Sequence, residues 1–364
     1  MGIKKIVIAA VLFSAVTAAF IGYRKSTRNA VDKLISSKQL VSILICGGNK
    51  FNKNKNRFNS ILVVNPDTKR AGVVFLPPNL EIDLEDDGNG VKMENIDIRD
   101  FKDMSKALFK SIKIRPQFYS VFYAPDARRI ADIIEGLTMF FPEPSESVFG
   151  SVYGMNYLDG SKTIKFINGT GGSIYYKYDR LQDIVLTLFE QRSAYSNFMT
   201  KAVISELCST LTTNMQPNEA LSIARILSEC DEISCINLPG RVSDEGSFFC
   251  DEITFKMYED MFLRWLIVKE KTPPNIRVKI LNATDVPGLA KRVRNSLMRE
   301  GVSVIEFGTH RINDLQESAI INNKGNNNDV KMVSELTGIK NIYHSVDSTQ
   351  VYDLTILVGK DMVK

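Results

Sequence analysis

The chain has 364 residues, of which 44% are hydrophobic and 24% charged, and this composition is typical of a globular protein with a sizeable core. The length predicts about two or three domains. Lys and Arg total 46 against 42 Asp and Glu, so the net charge of +4 is too small to indicate a nucleic-acid partner.

Cysteine and histidine give little support for metal chemistry. The five cysteines form no Cys-x-x-Cys pair, and the chain has only two histidines, His310 and His344. We therefore expect buried free thiols and no metal site, with one or two disulfides as the alternative in an exported domain. The cysteines are Cys46, Cys208, Cys230, Cys235 and Cys250.

The N-terminus contains an apolar segment. Residues 6–23 (IVIAAVLFSAVTAAFIGY) include no charge and are flanked by basic residues on both sides, and this length suffices to cross a bilayer as a helix. We interpret residues 1–25 as a single-pass membrane anchor and residues 26–39 as a connector. A cleavable signal peptide is the alternative, because Val16-Thr17-Ala18 offers a small-residue cleavage site. The flanking charges leave the orientation open.

Residues 40–270 alternate between strand-like and helix-like patterns, which predicts an α/β layered domain. A short apolar strand ends at Gly47-Gly48, and two further strands are joined by a turn at 65–68, which is a hairpin signal. Asn218 is available to cap a helix over 217–227. The other predicted elements are the strands 40–46, 61–64, 71–76 and 118–123, the helices 104–112 and 126–137, and long helical patterning over 181–211.

The acidic run Asp83, Glu85, Asp86 and Asp87 is followed at once by Gly88-Asn89-Gly90. This pattern favours a solvated loop, and a role as a replacement metal site is the alternative.

A linker at 271–275 (KTPPN) separates the tail, residues 276–364, which we predict to be a small α/β domain. Its low-complexity stretch 325–328 (GNNN) is interpreted as an exposed loop. The predicted elements of the tail are the strands 276–281, 302–307 and 352–358 and the helices 288–299 and 330–337.

The tail resembles the LytR C-terminal domain. The resemblance rests on the segment VKILNATDVPGLAKRVRNSLMREGVSV and on the closing YDLTILVGKD, where a strand, an Asn-rich turn with Pro-Gly, a helix and a strand follow in that order. The helix that begins after Pro287-Gly288 has an N-terminus that is able to hold an anion, or it simply follows a strand-to-helix turn.

Five segments in the middle of the chain carry a second resemblance. They are, in order, ILICGGN, SILVVNPDTKRAGVVFLPPN, FYSVFYAPDARRIADIIEGL, YLDGSKTIKF and LTTNMQPNEALSIARIL followed by INLPG. In these segments the chain resembles the catalytic domain of the LytR-CpsA-Psr (LCP) family. The resemblance implies a domain outside the cytoplasm, anchored in the cytoplasmic membrane, which holds a polyprenyl pyrophosphate lipid with magnesium and transfers its glycan to peptidoglycan.

The catalytic motifs of that family are mostly replaced. Three positions where the family has an acid hold Asn49, Asn59 and Asn79 in this chain. Three positions where it has an arginine hold Pro78, Asn168 and Thr170. One arginine is kept as Arg57 and the amide of an Arg-Gln pair as Gln182, while Arg180 lies one position out of register.

These losses remove the groups that phosphoryl transfer requires, namely carboxylates for the metal and arginines for the phosphate oxygens. We therefore expect no catalytic residues, no metal and no cofactor. The candidate ligand-binding residues are Arg57, Arg128, Arg129, Arg180 and Gln182. The alternative is an active phosphotransferase with Mg²⁺.

Three functions remain open at this point. A chain that kept the apolar framework of the fold is expected to bind a polyprenyl-type lipid or a peptidoglycan-linked glycan. An envelope scaffold that contacts a protein partner is the second interpretation, and the active transferase is the third.

Overall fold

The structure is a computed structural model, and it describes residues 28–48, 58–85, 87–143, 150–169, 174–195, 197–269 and 275–363. The predicted anchor at 1–25 and most of the linker at 271–275 lie outside these ranges. Among the described residues, no helix is both long enough and apolar enough to span a membrane.

The first region, residues 28–269, is built from ten α-helices and twelve strands among its described residues. The helices are α1 (Ala30–Ser36), α2 (Phe101–Ile112), α3 (Ala124–Ile133), α4 (Gly160–Asn168), α5 (Ile174–Glu190), α6 (Arg192–Tyr195), α7 (Lys201–Thr210), α8 (Pro217–Ser228), α9 (Glu252–Tyr258) and α10 (Arg264–Ile267), with a π-helical turn at Glu259–Leu263 between the last two.

The strands of this region are β1 (Val41–Gly48), β2 (Phe58–Asn65), β3 (Arg70–Leu76), β4 (Glu81–Asp83), β5 (Gly90–Lys92), β6 (Phe118–Tyr123), β7 (Leu137–Phe141), β8 (Gly154–Leu158), β9 (Thr212–Thr213), β10 (Glu232–Asn237), β11 (Arg241–Val242) and β12 (Phe248–Phe249).

The central sheet has six strands in the order β10-β3-β2-β1-β6-β9. β2 and β3 form the predicted antiparallel hairpin, in which Asn65 Oδ1 accepts the N–H of Asp67 (3.0 Å) in the turn. β1 pairs with β6 and β3 pairs with β10 in parallel. The mixed sheet agrees with the predicted α/β class.

Both faces of this sheet are covered, because every residue of β3 is buried. Val74 and Leu76 face a core completed by α2 and by residues 252–267. Val73 and Phe75 alternate with them and face a second core completed by α1, α5 and α8. The region is therefore a layered α/β structure with helices on both faces of the sheet.

Two helical predictions need correction. The helix predicted over 126–137 ends at Ile133, because Glu135 and Gly136 have φ values of 60° and 85°, and Leu137 then begins β7. The continuous pattern over 181–211 is divided among α5, α6 and α7.

The predicted cap of α8 was also wrong. Gln216, and not Asn218, is the N-cap, since Glu219 returns a hydrogen bond to the Gln216 N–H (2.8 Å) and Pro217 occupies the first turn.

The C-terminal region, residues 275–363, has its own five-stranded sheet with the order β14-β13-β17-β15-β16. β15 and β16 were not predicted from the sequence. The elements are β13 (Arg277–Asn282), α11 (Leu289–Arg299), β14 (Ser303–Thr309), β15 (Ala319–Asn322), α12 (Asn327–Thr337), β16 (Asn341–His344) and β17 (Leu354–Val358).

The stretch 325–328 is not the exposed loop that its composition predicted. Gly325 is buried, and its carbonyl accepts the N–H of Cys235 (2.9 Å) on β10. Ser234 and Asn326 form an isolated antiparallel bridge beside it. Because β10 is an edge strand of the six-stranded sheet, this loop of the C-terminal region protects the edge.

A second contact between the two regions is apolar. The ring of Phe140 on β7 stacks on the ring of Tyr343 on β16, with centroids 4.5 Å apart and planes 5° apart. Ile321 and Leu357 from the five-stranded sheet pack into the same cluster. The described parts of the chain therefore contain an interface between the two regions that combines a backbone bridge with buried side chains.

Cys208, Cys230, Cys235 and Cys250 are free thiols, as predicted, and Cys46, Cys230 and Cys235 are buried. Burial raises the pKa of the Cys230 thiol to about 12, so the thiol stays protonated at neutral pH.

Gly325 tests the contact between the two regions. An alanine Cβ there would lie 2.6 Å from the Cys235 carbonyl oxygen, and the φ of +78° adds backbone strain. We expect Gly325→Ala to lower the free energy of unfolding, measured by urea denaturation, by more than the roughly 1–2 kcal/mol that a left-handed alanine costs. Gly338→Ala is the matched control, because its φ is +74° and its Cβ meets nothing within 4 Å. Equal losses for the two variants would contradict the described contact.

Candidate functional site

One end of the six-stranded sheet brings several of the sequence-predicted positions together. The strand register pairs Cys46 with Asn59, Asn59 with Leu76, and Phe75 with Asn237. The end of β1, the start of β2 and the ends of β3 and β10 therefore lie side by side. Helix α5 contacts this end of the sheet through Tyr178.

Tyr178 attaches α5 to the strand ends. Its buried hydroxyl donates to the carbonyl of Leu76 (2.6 Å) and accepts the N–H of Asn59, and its ring lies 5.3 Å from that of Phe75. Burial raises the pKa of Tyr178 far above its usual value, so the hydroxyl remains a neutral donor.

Asn59 is a neutral buried residue at the position where the LCP resemblance implies an acid. It is 2% exposed, and alternation along β2 places its side chain on the same face as Ile61 and Val63. Its Nδ2 has no hydrogen-bond partner among the described residues. A buried carboxylate at this place would carry a full charge next to an apolar core.

Asn79 has a structural role that a carboxylate cannot take. Its Nδ2 donates to the carbonyl of Gly246 (3.0 Å), and its own carbonyl accepts the N–H of Phe248 (2.9 Å). Pro78 precedes it and accepts the N–H of Glu94 (2.8 Å) through its carbonyl. An aspartate at 79 has no proton to donate, so the amide belongs to the packing of this turn.

Arg180 reaches the end of α4, where the family's paired arginines are replaced. Its guanidinium packs against Gly169, where an added Cβ would lie 1.3 Å from Nη1, and its Cζ is 5.9 Å from the ring centroid of Phe166. Nη1 is buried and has no hydrogen-bond partner among the described residues. Asn168, next to Gly169, is exposed. One half-buried cation therefore stands beside Gly169, which follows Asn168, a position where the LCP resemblance implies an arginine.

Gln182 lies two residues after Arg180 on α5 and is 2% exposed. Its Nε2 donates to Asn237 Oδ1 (3.0 Å) at the end of β10. Gly325 of the C-terminal region packs against the other side of this amide, since a Cβ there would lie 2.7 Å from Gln182 Oε1. The side chain is thus enclosed between the sheet and the C-terminal region.

Two carboxylates on α5, Asp179 and Asp183, are bound by the C-terminal region. Asp183 Oδ1 accepts the N–H of Val346 (2.7 Å), and Asp179 Oδ2 accepts both the N–H and the hydroxyl of Ser348 (3.0 Å each). Asp179 Oδ1 also accepts a longer hydrogen bond from Asn237 (3.4 Å). Both acids therefore accept hydrogen bonds at the interface between the two regions.

Burial controls the protonation of both acids. Removal from water raises the pKa of Asp183 well above its usual value, and the N–H of Val346 lowers it only in part. Burial likewise raises the pKa of Asp179, against the hydrogen bonds from Ser348 and Asn237. Neither acid was predicted from the sequence as a site residue. The available signal was the spacing Asp179, Gln182, Asp183 on the buried stripe that includes Tyr178.

Arg128 and Arg129 lie on the exposed side of α3 and have acidic neighbours. Arg129 Nη2 is 3.0 Å from Glu206 Oε1 on α7, and Arg128 Nε is 3.8 Å from Asp132 Oδ2 on its own helix. The predicted site residues Asn49, Arg57 and Thr170 lie outside the described residues.

The donor set at the strand ends does not suit Mg²⁺. Asn59 and Asn79 are neutral, and Asp179 and Asp183 are bound by the C-terminal region. Within the described ranges, no three His, Cys, Asp or Glu side chains are grouped so that they could hold a metal ion. The absence of a metal stays a prediction, because position 49 is not among the described residues.

The acidic run near Asp83 borders a pocket of about 450 Å³. Glu81, Asp83 and Glu245 contribute acids to its lining. Asp83 Oδ2 accepts the N–H of Gly88 (3.0 Å), and Asp87 accepts hydrogen bonds from Asn89, so these acids hold their own loop together. The arrangement agrees with the predicted loop.

Asn79 provides a test of the neutral turn. We expect Asn79→Asp to lose the bond to Gly246 and to place a carboxylate beside that carbonyl, which costs about 1–3 kcal/mol in urea unfolding. Asn95→Asp is the control, since Asn95 is exposed. If Asn79→Asp were as stable as the control and bound Mg²⁺ in calorimetry, the structural role of the amide would be refuted.

Asp183 predicts a pH dependence. Its pKa in the folded chain is raised above the unfolded value, so its contribution to stability is complete below about pH 4 and is lost as the pH rises through the raised folded pKa. Asp183→Asn keeps an acceptor for Val346 but cannot ionise. We expect the melting temperature of this variant, relative to the parent, to increase as the pH rises from about 4 toward the raised folded pKa of Asp183.

The control for that measurement is Asp67→Asn. Lys38 and Lys269 lower the pKa of this exposed carboxyl, so its replacement should not show the same upward trend. A flat difference for Asp183→Asn over this range would contradict the burial of an ionisable carboxyl at this position.

Comparison with known proteins identifies the C-terminal region directly. Residues 275–361 match the family model LytR_C, described as LytR cell envelope-related transcriptional attenuator. No curated protein matches the sequence.

Solved structures match part of the chain by shape. TagT bound to LI-WTA is 12% identical, with a TM-score of 0.51 over 64% of this chain and 92% of TagT. YwtF from Bacillus subtilis gives the same identity, coverage and TM-score. A structure named LytR-CPS2A-psr family protein YwtF (TagT) with bound octaprenyl pyrophosphate lipid is 11% identical, with a TM-score of 0.47 over 63% of this chain and 91% of that protein. At these identities the likeness concerns the fold. Residues 275–361 thus match the LytR_C family, and 64% of the chain shares a fold with TagT and with YwtF.

Proposed function

We propose that this chain is a non-catalytic cell-envelope protein that binds the phosphate-bearing head of a polyprenyl-type lipid or of an envelope glycan. The observation that carries the proposal is the guanidinium of Arg180, which is half-buried at the end of α4 and has an Nη1 without a partner among the described residues. Arginine is well suited to bind phosphate oxygens.

The described residues of the same site support binding better than transfer. Phosphoryl transfer requires cations and metal-binding acids to neutralise charge at the reacting phosphate. Here Asn79 donates to a carbonyl, and the two acids of α5 accept hydrogen bonds from the C-terminal region. Binding without turnover is the function that these residues support best.

The ligand class follows from the proteins that share the fold. TagT structures are named with bound octaprenyl pyrophosphate and with LI-WTA. We extend these ligand types to the present chain as part of the proposal, because a cation at Arg180 matches a phosphate in either of them.

We further propose that the protein is anchored in the cytoplasmic membrane. Residues 6–23 lie outside the described part of the chain, and their uncharged sequence is the basis for a single-pass anchor. The LCP resemblance supports folded regions on the extracytoplasmic side.

Binding to Arg180 can be measured on the full-length chain in detergent. We expect polyprenyl pyrophosphate to bind the parent, and Arg180→Gln to weaken binding by about tenfold or more, because a charge-assisted hydrogen bond contributes roughly 1.5–3 kcal/mol. Arg264→Gln is the control, since this arginine is exposed on α10 and its Nη1 lies 4.0 Å from Asp260 Oδ1.

The same assay, repeated with Mg²⁺, separates the three functions. Intact ligand after long incubation supports a binding protein. Mg²⁺-dependent release or transfer of phosphate would contradict it and favour the active phosphotransferase. If the parent chain did not bind the lipid, the binding function would also be contradicted, and the envelope scaffold would be the remaining interpretation.

A further inference from the structure

Helix α11 of the C-terminal region carries four cationic side chains that we call the basic face of α11. They are Lys291, Arg292, Arg294 and Arg299. Three of them are exposed and Arg294 is half-buried. Within the described residues, the ion pairs of the C-terminal region involve Arg277, Lys279, Arg311 and Lys360 and none of these four. Among the described residues, these four cations therefore have no acidic ion-pair partner within 4.0 Å.

The spacing makes this face continuous. Arg292 and Arg299 are seven residues apart, which places them on the same side of the helix about 10 Å from each other. Lys291 and Arg294 form the neighbouring row, three residues apart. The Cζ of Arg294 lies 4.9 Å from the ring centroid of Phe307 on β14, which holds this guanidinium in place.

Two of the four cations are not placed where they would stabilise the helix. α11 has no acidic residue in its first turn, and Lys291 and Arg292 lie close to its N-terminus, where the helix dipole disfavours positive charge. Arg299, in the last turn, is favourably placed. By contrast, α12 has Asp329 in its first turn and a side-chain cap from Asn326. The two cations that oppose the dipole of α11 indicate a role outside the helix itself.

The apolar side of α11 is already occupied. Leu289, Ala290 and Leu297 are buried in the core of the C-terminal region together with Val302. Met298 is the exposed large apolar residue of the helix. A helix that enters a bilayer surface needs a free apolar side, so this geometry favours a soluble anion over a lipid surface.

We propose that the basic face of α11 binds a soluble anionic polymer that carries repeated phosphate groups. The charge complementarity supports a polymer, because four cations spread over about 12 Å match several phosphates of one chain better than one free phosphate. This inference concerns the LytR C-terminal domain and is independent of Arg180.

The test uses the full-length chain in detergent and fluorescently labelled long-chain inorganic polyphosphate, followed by anisotropy. We expect binding that weakens steeply as salt rises, because counterions are released on binding. The variant with Lys291, Arg292, Arg294 and Arg299 all changed to Gln should bind at least about tenfold more weakly.

The control variant changes four exposed lysines of the first region to Gln and alters the net charge equally. It carries Lys33→Gln, Lys102→Gln, Lys165→Gln and Lys201→Gln. We expect it to bind like the parent, and both variants should keep the parent's melting curve. Equal loss in the two variants would show an effect of net charge alone and would overturn the proposal.

Two further results would also overturn it. Competition by orthophosphate at the same phosphate concentration as the polymer would indicate a site for a single anion. Absence of polymer binding, together with protection of Lys291 from acetylation only in phosphatidylglycerol proteoliposomes, would assign the basic face to a bilayer.

Discussion

The burial of α5 on two sides is the constraint on which the rest of the structure depends. On one side, the hydroxyl of Tyr178 donates to Leu76 at the end of the six-stranded sheet. On the other side, Asp183 accepts the N–H of Val346 from the C-terminal region. A buried carboxyl is tolerated only where it finds such a partner, so the same helix joins the two regions and fixes their polar groups.

This arrangement explains the chemistry of the candidate site. The acids closest to the strand ends point toward the C-terminal region, and the amide of Asn79 is a donor that the neighbouring turn requires. Among the described residues of the site, the guanidinium of Arg180 beside Gly169 remains for a ligand. A cation of this kind is suited to bind a phosphate, and the absence of a magnesium site stays a prediction.

Local patterns in the sequence were sufficient for the hairpin of β2 and β3 and for the layered α/β class, because alternation and turn residues act over a few positions. They failed where distant contacts decide. The stretch 325–328 has the composition of a loop and yet is buried against β10. Likewise, the burial of Asp183 depends on Val346, which is 163 residues away, and a single sequence contains no local signal for that pairing.

Amide hydrogen exchange tests the two-sided burial of α5 most directly. The N–H groups of Val346 and Ser348 donate to the carboxylates of Asp183 and Asp179, so both should be protected in the parent chain. In Asp183→Ala, we predict that Val346 exchanges much faster while Ile356 in the core of the five-stranded sheet keeps its protection. Unchanged protection of Val346 in this variant would contradict the account.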